Sequence, residues 1–376
     1  MSGQDKGLCL VMGGAGFIGS HTVDALLTRG YSARILDILH PRIHPKGKPG
    51  HLPNEAEFIW GDVSNRDDLS RALRDVRYVF HLAAYQDYLL DFSTFIHVNV
   101  ESTALLFELI VEKGHPVEKV VVASSQAVYG EGRYRCETDG IVYPGLREES
   151  RLRRWDWEPV CPKCKCAVVW ERTEEREANP QNQYALSKWA QEMIALRLGQ
   201  CYRVPTVALR YSIVQGPRQS FHNAYSGVCR IFCLSLYLNQ RPLVYEDGRQ
   251  VRDYVNIRDV VAANLLVLER PEANYQVFNV GGGRGYSVLE FAEIVARMFG
   301  KSIQPEIPGV YRFGEARHIV SDISKLEALG WSPRCTPEES VRDYVSWLRE
   351  QDGIEDVLAY ARRHMRERNV LRSVSR

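Results

Sequence analysis

The sequence has almost no excess charge: 48 lysines and arginines stand against 47 aspartates and glutamates in 376 residues, a formal net charge of +1. Over most of its length such a chain offers no electrostatic footprint for nucleic acid or an anionic membrane, and neither is expected as a partner. It lacks an apolar run of membrane-span length, and Met1–Gly7 lacks the basic-then-apolar pattern of a signal peptide. A cytoplasmic protein is the expectation. Internal repeats and low-complexity segments are missing too. Nine cysteines are an odd number with no secretory context, so most are expected to be reduced and several simply buried. The one local charge bias is the basic tail, Arg362–Arg376, which reads as a solvated helix running into a frayed terminus.

What is present is the profile of a globular chain, 45% hydrophobic and 25% charged, long enough for one large or two smaller domains. The apolar run Leu8–Met12 stops at Gly13-Gly14-Ala15-Gly16-Phe17-Ile18-Gly19, and a helical pattern follows to Arg29. Strand, glycine turn and helix are the context in which backbone N–H groups and a helix N-terminus can hold a pyrophosphate. The next apolar run ends at Asp37, where a carboxylate would meet the adenosine ribose and disfavour a 2′-phosphate. That favours NAD over NADP, with Arg34 and Arg42 near enough to leave the choice open.

Further buried strands are expected at Phe58–Trp60, Tyr78–Leu82 and Val117–Ala123, with helices between them, notably Phe95–Lys113. This alternation predicts an α/β fold, a Rossmann-type doubly wound parallel sheet covered on both faces. Ligands in such sheets bind beyond the carboxyl ends of the strands, where Asp62, Val63, Leu82, Ala83, Ala84, Asn99 and Ser125 fall. The stretch 130–179 interrupts the pattern. It contains Cys161-Pro162-Lys163-Cys164-Lys165-Cys166, and Cys136 precedes it. Two thiolates at metal-ligand spacing, completed by Cys166 and Cys136, would make a structural zinc site; reduced thiols in a mobile lid and a redox disulfide are the other readings.

Alternation resumes at Asn182-Gln183-Tyr184-Ala185-Leu186-Ser187-Lys188. On a helix the four-residue spacing stacks Tyr184 and Lys188 on one face. A phenol titrates near about 10, and a neighbouring cation favours the phenolate, which makes Tyr184 a candidate base. Residues 1–211 are expected to form the cofactor domain and 212–350 mainly a smaller mixed lobe, with 251–285 returning to the first domain and 351–376 as the tail. The lobe should hold helices over Phe221–Leu238, Ser287–Phe299 and Pro337–Arg349.

In this order and spacing, Gly13-x-x-Gly16-x-x-Gly19, Asp37, Asp62-Val63, His81-Leu82-Ala83-Ala84, Asn99-Val100, Ser124-Ser125 and Tyr184-x-x-x-Lys188 resemble the extended short-chain dehydrogenase/reductase family. Within it the chain resembles the NAD-dependent nucleotide-sugar epimerases, of the UDP-galactose 4-epimerase and dTDP-L-rhamnose 4-epimerase-like kind. The resemblance implies tightly bound NAD held by Gly13, Gly16, Phe17, Ile18, Gly19, Asp37, Asp62, Val63, Leu82, Ala83, Ala84, Asn99, Tyr184 and Lys188. It implies that Ser125 bonds the reacting hydroxyl, that Tyr184 takes its proton, and that Lys188 holds the nicotinamide ribose while lowering the phenol's pKa. Ser125, Gln126, Asn223, Arg252 and Arg312 would contact a nucleotide-diphosphate sugar, the arginine forks suiting its phosphates.

The family's 4,6-dehydratases carry an Asp-Glu pair just after the serine or threonine, and its uronate decarboxylases a glutamate. This chain has Gln126 and Ala127 there, so 4-epimerisation through a transient 4-ketose is expected. A reductase of a 4-keto nucleotide sugar consuming NAD(P)H and a non-catalytic NAD-binding regulator are the alternatives. Ile213 stands where these enzymes commonly have an asparagine near the sugar. The long insertion is expected over the sugar site. Relatives commonly dimerise through two helices per subunit, and Phe95–Lys113 with Tyr184–Leu198 would suit a homodimer.

Overall fold

A computed structural model describes residues 6–87, 90–222 and 227–374. Seven strands build the central sheet: β1 (Leu8–Met12), β2 (Ser32–Asp37), β3 (Glu57–Trp60), β4 (Tyr78–His81), β5 (Lys119–Ser125), β9 (Thr206–Tyr211) and β12 (Gln276–Val280). Their order is β3-β2-β1-β4-β5-β9-β12, and every pair is parallel. Alternate residues serve opposite faces. Cys9, Val11, Val121 and Ala123 enter one core while Leu10, Met12, Val120 and Val122 enter the other. That two-sided burial is why these strands read as continuous apolar runs rather than alternating ones.

Helix α1 (Phe17–Thr28) packs on the first face. Helices α2 (Arg66–Ala72), α3 (Phe92–Lys113) and α4 (Gln183–Tyr202) lie on the second. The α3 span is long and apolar enough to cross a membrane by length and composition, a run the sequence reading passed over because polar residues interrupt it. Its buried residues Leu106, Phe107, Leu109 and Ile110 belong to the core on that face. Residues Ile96–Glu101 form a wider π-helical turn within it.

The insertion folds as a small antiparallel sheet of β6 (Tyr134–Cys136), β7 (Gly140–Val142) and β8 (Val169–Trp170), in the order β7-β6-β8. The second lobe has its own core around β10 (Ile213–Gln215), α5 (Val228–Tyr237), β11 (Val251–Asn256), β13 (Gly285–Ser287) and α7 (Val288–Phe299). The expected helix over Phe221–Leu238 is shorter, because Gly227, at φ +85°, precedes its first turn. Strand β11 pairs with β10 and β13 inside the lobe. Only from α6 (Ile257–Glu269), which packs into the α1-side core, does the chain go back to the main sheet.

The lobe is completed by β14 (Val310–Arg312), α8 (Pro337–Arg349), α9 (Val357–Glu367) and β15 (Leu371–Ser373). Capping boxes start α7 at Ser287/Glu290 and α8 at Thr336/Glu339. The described part of the basic tail, to Val374, is structured rather than frayed. Its helix buries Leu358, Ala361 and Met365, and β15 pairs antiparallel with β14. The apolar i, i+3, i+7 spacing of those three residues marks one helix face, which the neighbouring arginines obscure in the sequence.

Candidate active site

At the carboxyl ends of the strands, where the order reverses between β1 and β4, the two lobes enclose a cavity of about 1050 Å³. The glycine turn forms one end. Gly13 has φ +78°, and a Cβ there would stand 2.6 Å from the Ala83 backbone nitrogen; one on Gly19 would stand 2.2 Å from the Gly13 carbonyl oxygen. Only glycine allows this approach. Gly16 begins α1 with no side chain capping it, which leaves first-turn N–H groups for an anion. Ala15 and Leu39 donate backbone N–H bonds of 2.9 and 2.8 Å to the two oxygens of Asp37, fixing the carboxylate at the tip of β2. This cradle fits the pyrophosphate and ribose of a dinucleotide.

Phe17, Ile18, Asp62, Val63, Leu82, Ala83 and Ala84 also line the cavity, as do Ser125, Gln126, Tyr184, Lys188, Arg252 and Arg312. Asn99 does not. It is buried in the π-helical turn, accepting from the Tyr85 N–H at 2.7 Å and donating to the Tyr85 carbonyl and to Ser187 Oγ at 3.0 and 2.9 Å. Its amide is consumed in positioning the Ala84–Tyr85 turn. Asn223 lies outside the described residues.

Asn182 caps α4 by accepting the Ala185 N–H at 2.9 Å, so the helix begins one residue before Tyr184. Behind it, Glu192 accepts from Ser124 Oγ at 2.6 Å and from both forks of Arg210 at 2.6 and 2.9 Å, locking α4 to β5 and β9. Ser125, at the end of β5, faces the Tyr184 phenol; burial pushes the phenol up to about 12, and the Ser125 hydroxyl opposes that shift. Burial pushes Lys188 down to about 7 against the pull of Glu192, and its Nζ donates to Gln191 Oε1 at 2.5 Å.

At the far end Arg252 sits on β11, its Nη2 donating to the Ala316 carbonyl at 2.7 Å and its Nη1 to the Arg317 carbonyl at 2.8 Å. Arg312 lies over the Tyr245 ring at 4.9 Å. Arg362 of α9, Tyr245, Glu246 and Glu315 join them in the wall, and the sequence reading had none of these. Among the described residues, buried Arg362 Nη2 has no hydrogen-bond partner, and neither has Gln126 Oε1, whose residue also lines the cavity. Because α9 looked like tail, only the apolar spacing of Leu358, Ala361 and Met365 could have signalled Arg362.

The insertion does not cover the cavity: none of residues 131–181 lines it. It packs outside, Thr173 donating its N–H to the Val320 carbonyl at 2.9 Å and Arg172 its Nη2 to the Gly283 carbonyl at 2.7 Å. Arg147 reaches inward, pairing with Glu131 at 2.9 Å and Glu246 at 2.7 Å and donating to the Glu315 carbonyl at 2.7 Å. The cysteine cluster also differs from expectation. Cys136, Cys161 and Cys164 meet Asp139; Cys164 and Cys166 are both exposed, but Cys166 stands outside the cluster, its sulfur approaching the Cys164 carbonyl at 3.8 Å.

A family model described as the NAD dependent epimerase/dehydratase family matches residues 9–144 and 164–281. The chain belongs to that family. It is an extended short-chain dehydrogenase/reductase, and the unmatched 145–163 falls within the insertion. A dTDP-L-rhamnose 4-epimerase of Burkholderia thailandensis is 33% identical over 91% of this chain and 95% of its own. The UDP-glucose 4-epimerase of Thermus thermophilus, solved with NAD, is 31% identical, with a TM-score of 0.73 over 91% of this chain and 99% of that one. The UDP-glucose 4-epimerase of Thermotoga maritima, solved with UDP-glucose, is 28% identical at the same TM-score and the same two coverages.

Proposed function

We propose that the chain is an NAD-dependent 4-epimerase of nucleoside-diphosphate sugars. The observation that carries this reading is the Tyr184–Ser125 pair set between a dinucleotide cradle and an arginine-lined end of one cavity. Gly13, Gly16, Gly19 and Asp37 would hold the cofactor, with Asp37 selecting NAD. Bound NAD would supply a reversible hydride acceptor and a positive charge that favours the Tyr184 phenolate.

Tyr184 Oη removes the proton of the sugar 4-hydroxyl while Ser125 holds that hydroxyl in line. Arg252 and Arg312 grip the diphosphate, leaving the sugar ring to turn about its linkage. Reduction from the other face, with Tyr184 returning the proton, inverts the carbon. Gln126 and Ala127 offer no acid–base group at that place, neither to remove the further proton that elimination requires nor to protonate the enolate that decarboxylation would leave. The amide of Gln126, with its free Oε1, accepts a sugar hydroxyl instead. Support for a pyrimidine nucleotide comes from the named activities of the relatives.

The same reading takes the protein to be cytoplasmic and a homodimer, its interface supported by exposed Phe92, Ile96 and Val111 on α3 beside Leu186 and Trp189 on α4. The test is a panel of dTDP- and UDP-hexoses: Tyr184→Phe should lose turnover and keep bound NAD. Full activity in that variant would sink the assignment.

A further inference from the structure

The insertion has little core of its own. Its strands are three, three and two residues long, and its buried apolar contact is confined to Tyr134, Cys136, Val142 and Cys161, with Val168 and Trp170 against them. Sheets of this size rarely hold on apolar burial alone, and small modules add disulfides or a metal. Its cysteines are free thiols. The sulfurs of Cys136 and Cys164 stand 3.5 Å apart, far beyond the roughly 2.0 Å of an S–S bond.

Two turns aim their side chains at one point. In the first, the β6–β7 hairpin brings Cys136 and Asp139 together, with Cys136 Sγ 3.8 Å from Asp139 Oδ2. In the second, Cys161 donates its N–H to the Cys166 carbonyl at 2.9 Å and Lys165, at φ +64°, donates its own to the Cys161 carbonyl at 3.0 Å. That tight turn directs Cys161 and Cys164 inward and Cys166 out. Cys161 Sγ lies 3.1 Å from Asp139 Oδ2, and the four ligand atoms all fall within 4.8 Å of one another. A tetrahedral zinc with bonds of about 2.3 Å to sulfur and about 2.1 Å to oxygen separates its ligands by roughly 3.6–3.8 Å. The separations in the cluster, 3.1, 3.5 and 3.8 Å with none above 4.8 Å, bracket those values.

We propose that Cys136, Asp139, Cys161 and Cys164 bind one zinc ion that clamps the two turns of the insertion together. Three thiolates and a carboxylate close the coordination sphere, and none of the four residues lines the cavity, so the metal is structural. Binding replaces the three thiol protons, which leave to solvent. The clamp acts on the active site at second hand: it steadies the sheet that follows Glu131, the partner of Arg147, and Arg147 in turn holds Glu246 and the Glu315 carbonyl in the cavity wall.

Elemental analysis of the full-length protein, as purified and after zinc reconstitution, should find about one zinc per chain. Cys161→Ser and Cys136→Ser should lose it, Asp139→Ala should give it up to a chelator at least about tenfold more readily, and Cys166→Ser should retain it. Replacement by cobalt should give thiolate-to-metal charge-transfer absorption that Cys164→Ser lacks. If the cysteine variants do not fold, the Asp139 and Cys166 variants and chelator titration of the unaltered protein still decide. Absence of stoichiometric metal in the reconstituted protein overturns the proposal. So does a Cys166→Ser variant that loses metal while Asp139→Ala keeps it. Metal content is independent of epimerase activity, so either reading can fail without the other.

Discussion

Arg147 Nη2 lies 2.7 Å from Glu246 Oε1, and both side chains are buried. Glu246 itself holds φ +53° and also pairs with Arg317 at 2.8 Å. A residue of the insertion thus fixes a cavity-wall residue in a backbone conformation few side chains adopt. Through this pair the insertion shapes a site that only its first residue, Gly130, lines.

Removing the cation should therefore be costly. Arg147→Met leaves Glu131 without its ion-pair partner and Glu246 with Arg317 alone, and breaking a buried pair from one side costs about 3–5 kcal/mol. The expected outcome is a melting temperature lowered by several degrees and a raised KM for the nucleotide sugar, measured by calorimetry and steady-state kinetics. An unchanged KM would show that the wall stands without the insertion.

Ser125 faces Tyr184. Burial pushes the phenol up to about 12 and the Ser125 hydroxyl opposes that shift. Deleting the hydroxyl removes the lowering influence, so the phenolate forms only at higher pH. If activity rises with pH as Tyr184 ionises, Ser125→Ala shifts the rising limb of kcat/KM to higher pH, and Ser125→Thr restores it. A limb that stays in place with only its height reduced would leave Ser125 a positioning role alone.

Lys188 makes the opposite case. Its folded value of about 7 lies below its ordinary 10.5, so between these the unfolded chain binds more protons than the folded one. Stability from this site then rises with pH across that window, and its penalty is fully present below it. Lys188→Met should melt above the unaltered protein near pH 6, with the difference fading towards pH 10. A difference independent of pH would place the lysine's effect in packing instead.

Arg362 is expected to meet an anionic part of the substrate. Its buried Nη2 has no hydrogen-bond partner among the described residues, and Arg362 lines the cavity. Loss of a charged hydrogen bond costs about 1.5–3 kcal/mol, so Arg362→Ala should raise KM about tenfold or more with NAD content unchanged. Unaltered KM would return α9 to a purely structural role.

The sheet was legible because its central strands are buried on both faces and Gly13 and Gly19 stop the first of them at a turn too tight for a side chain. Ser125, Tyr184 and Lys188 were legible because a strand end and a helical repeat place them independently of the rest of the chain. Asn99 misled because a buried amide near a cofactor site serves equally well as a backbone clamp. Cys166 misled for a similar reason: linear spacing counts thiols, while the Lys165 turn decides which of them point inward. The place of Asp139 among the thiols and of Arg362 in the cavity wall was hidden because each depends on contacts between segments distant in sequence. The place of the insertion was hidden as well, since it is set by Arg147, Arg172 and Thr173 meeting the second lobe.

The central claim is that one cofactor molecule takes a hydride from the sugar and gives it back to the same carbon. The direct measurement supplies a dTDP- or UDP-hexose carrying deuterium at C4 and follows the label by NMR and mass spectrometry alongside the absorbance of reduced cofactor. The expected result is a 4-epimer that keeps the deuterium at C4, with no net change in NAD. Deuterium lost to solvent, or product formed only with stoichiometric consumption of NAD(P)H, would contradict the account.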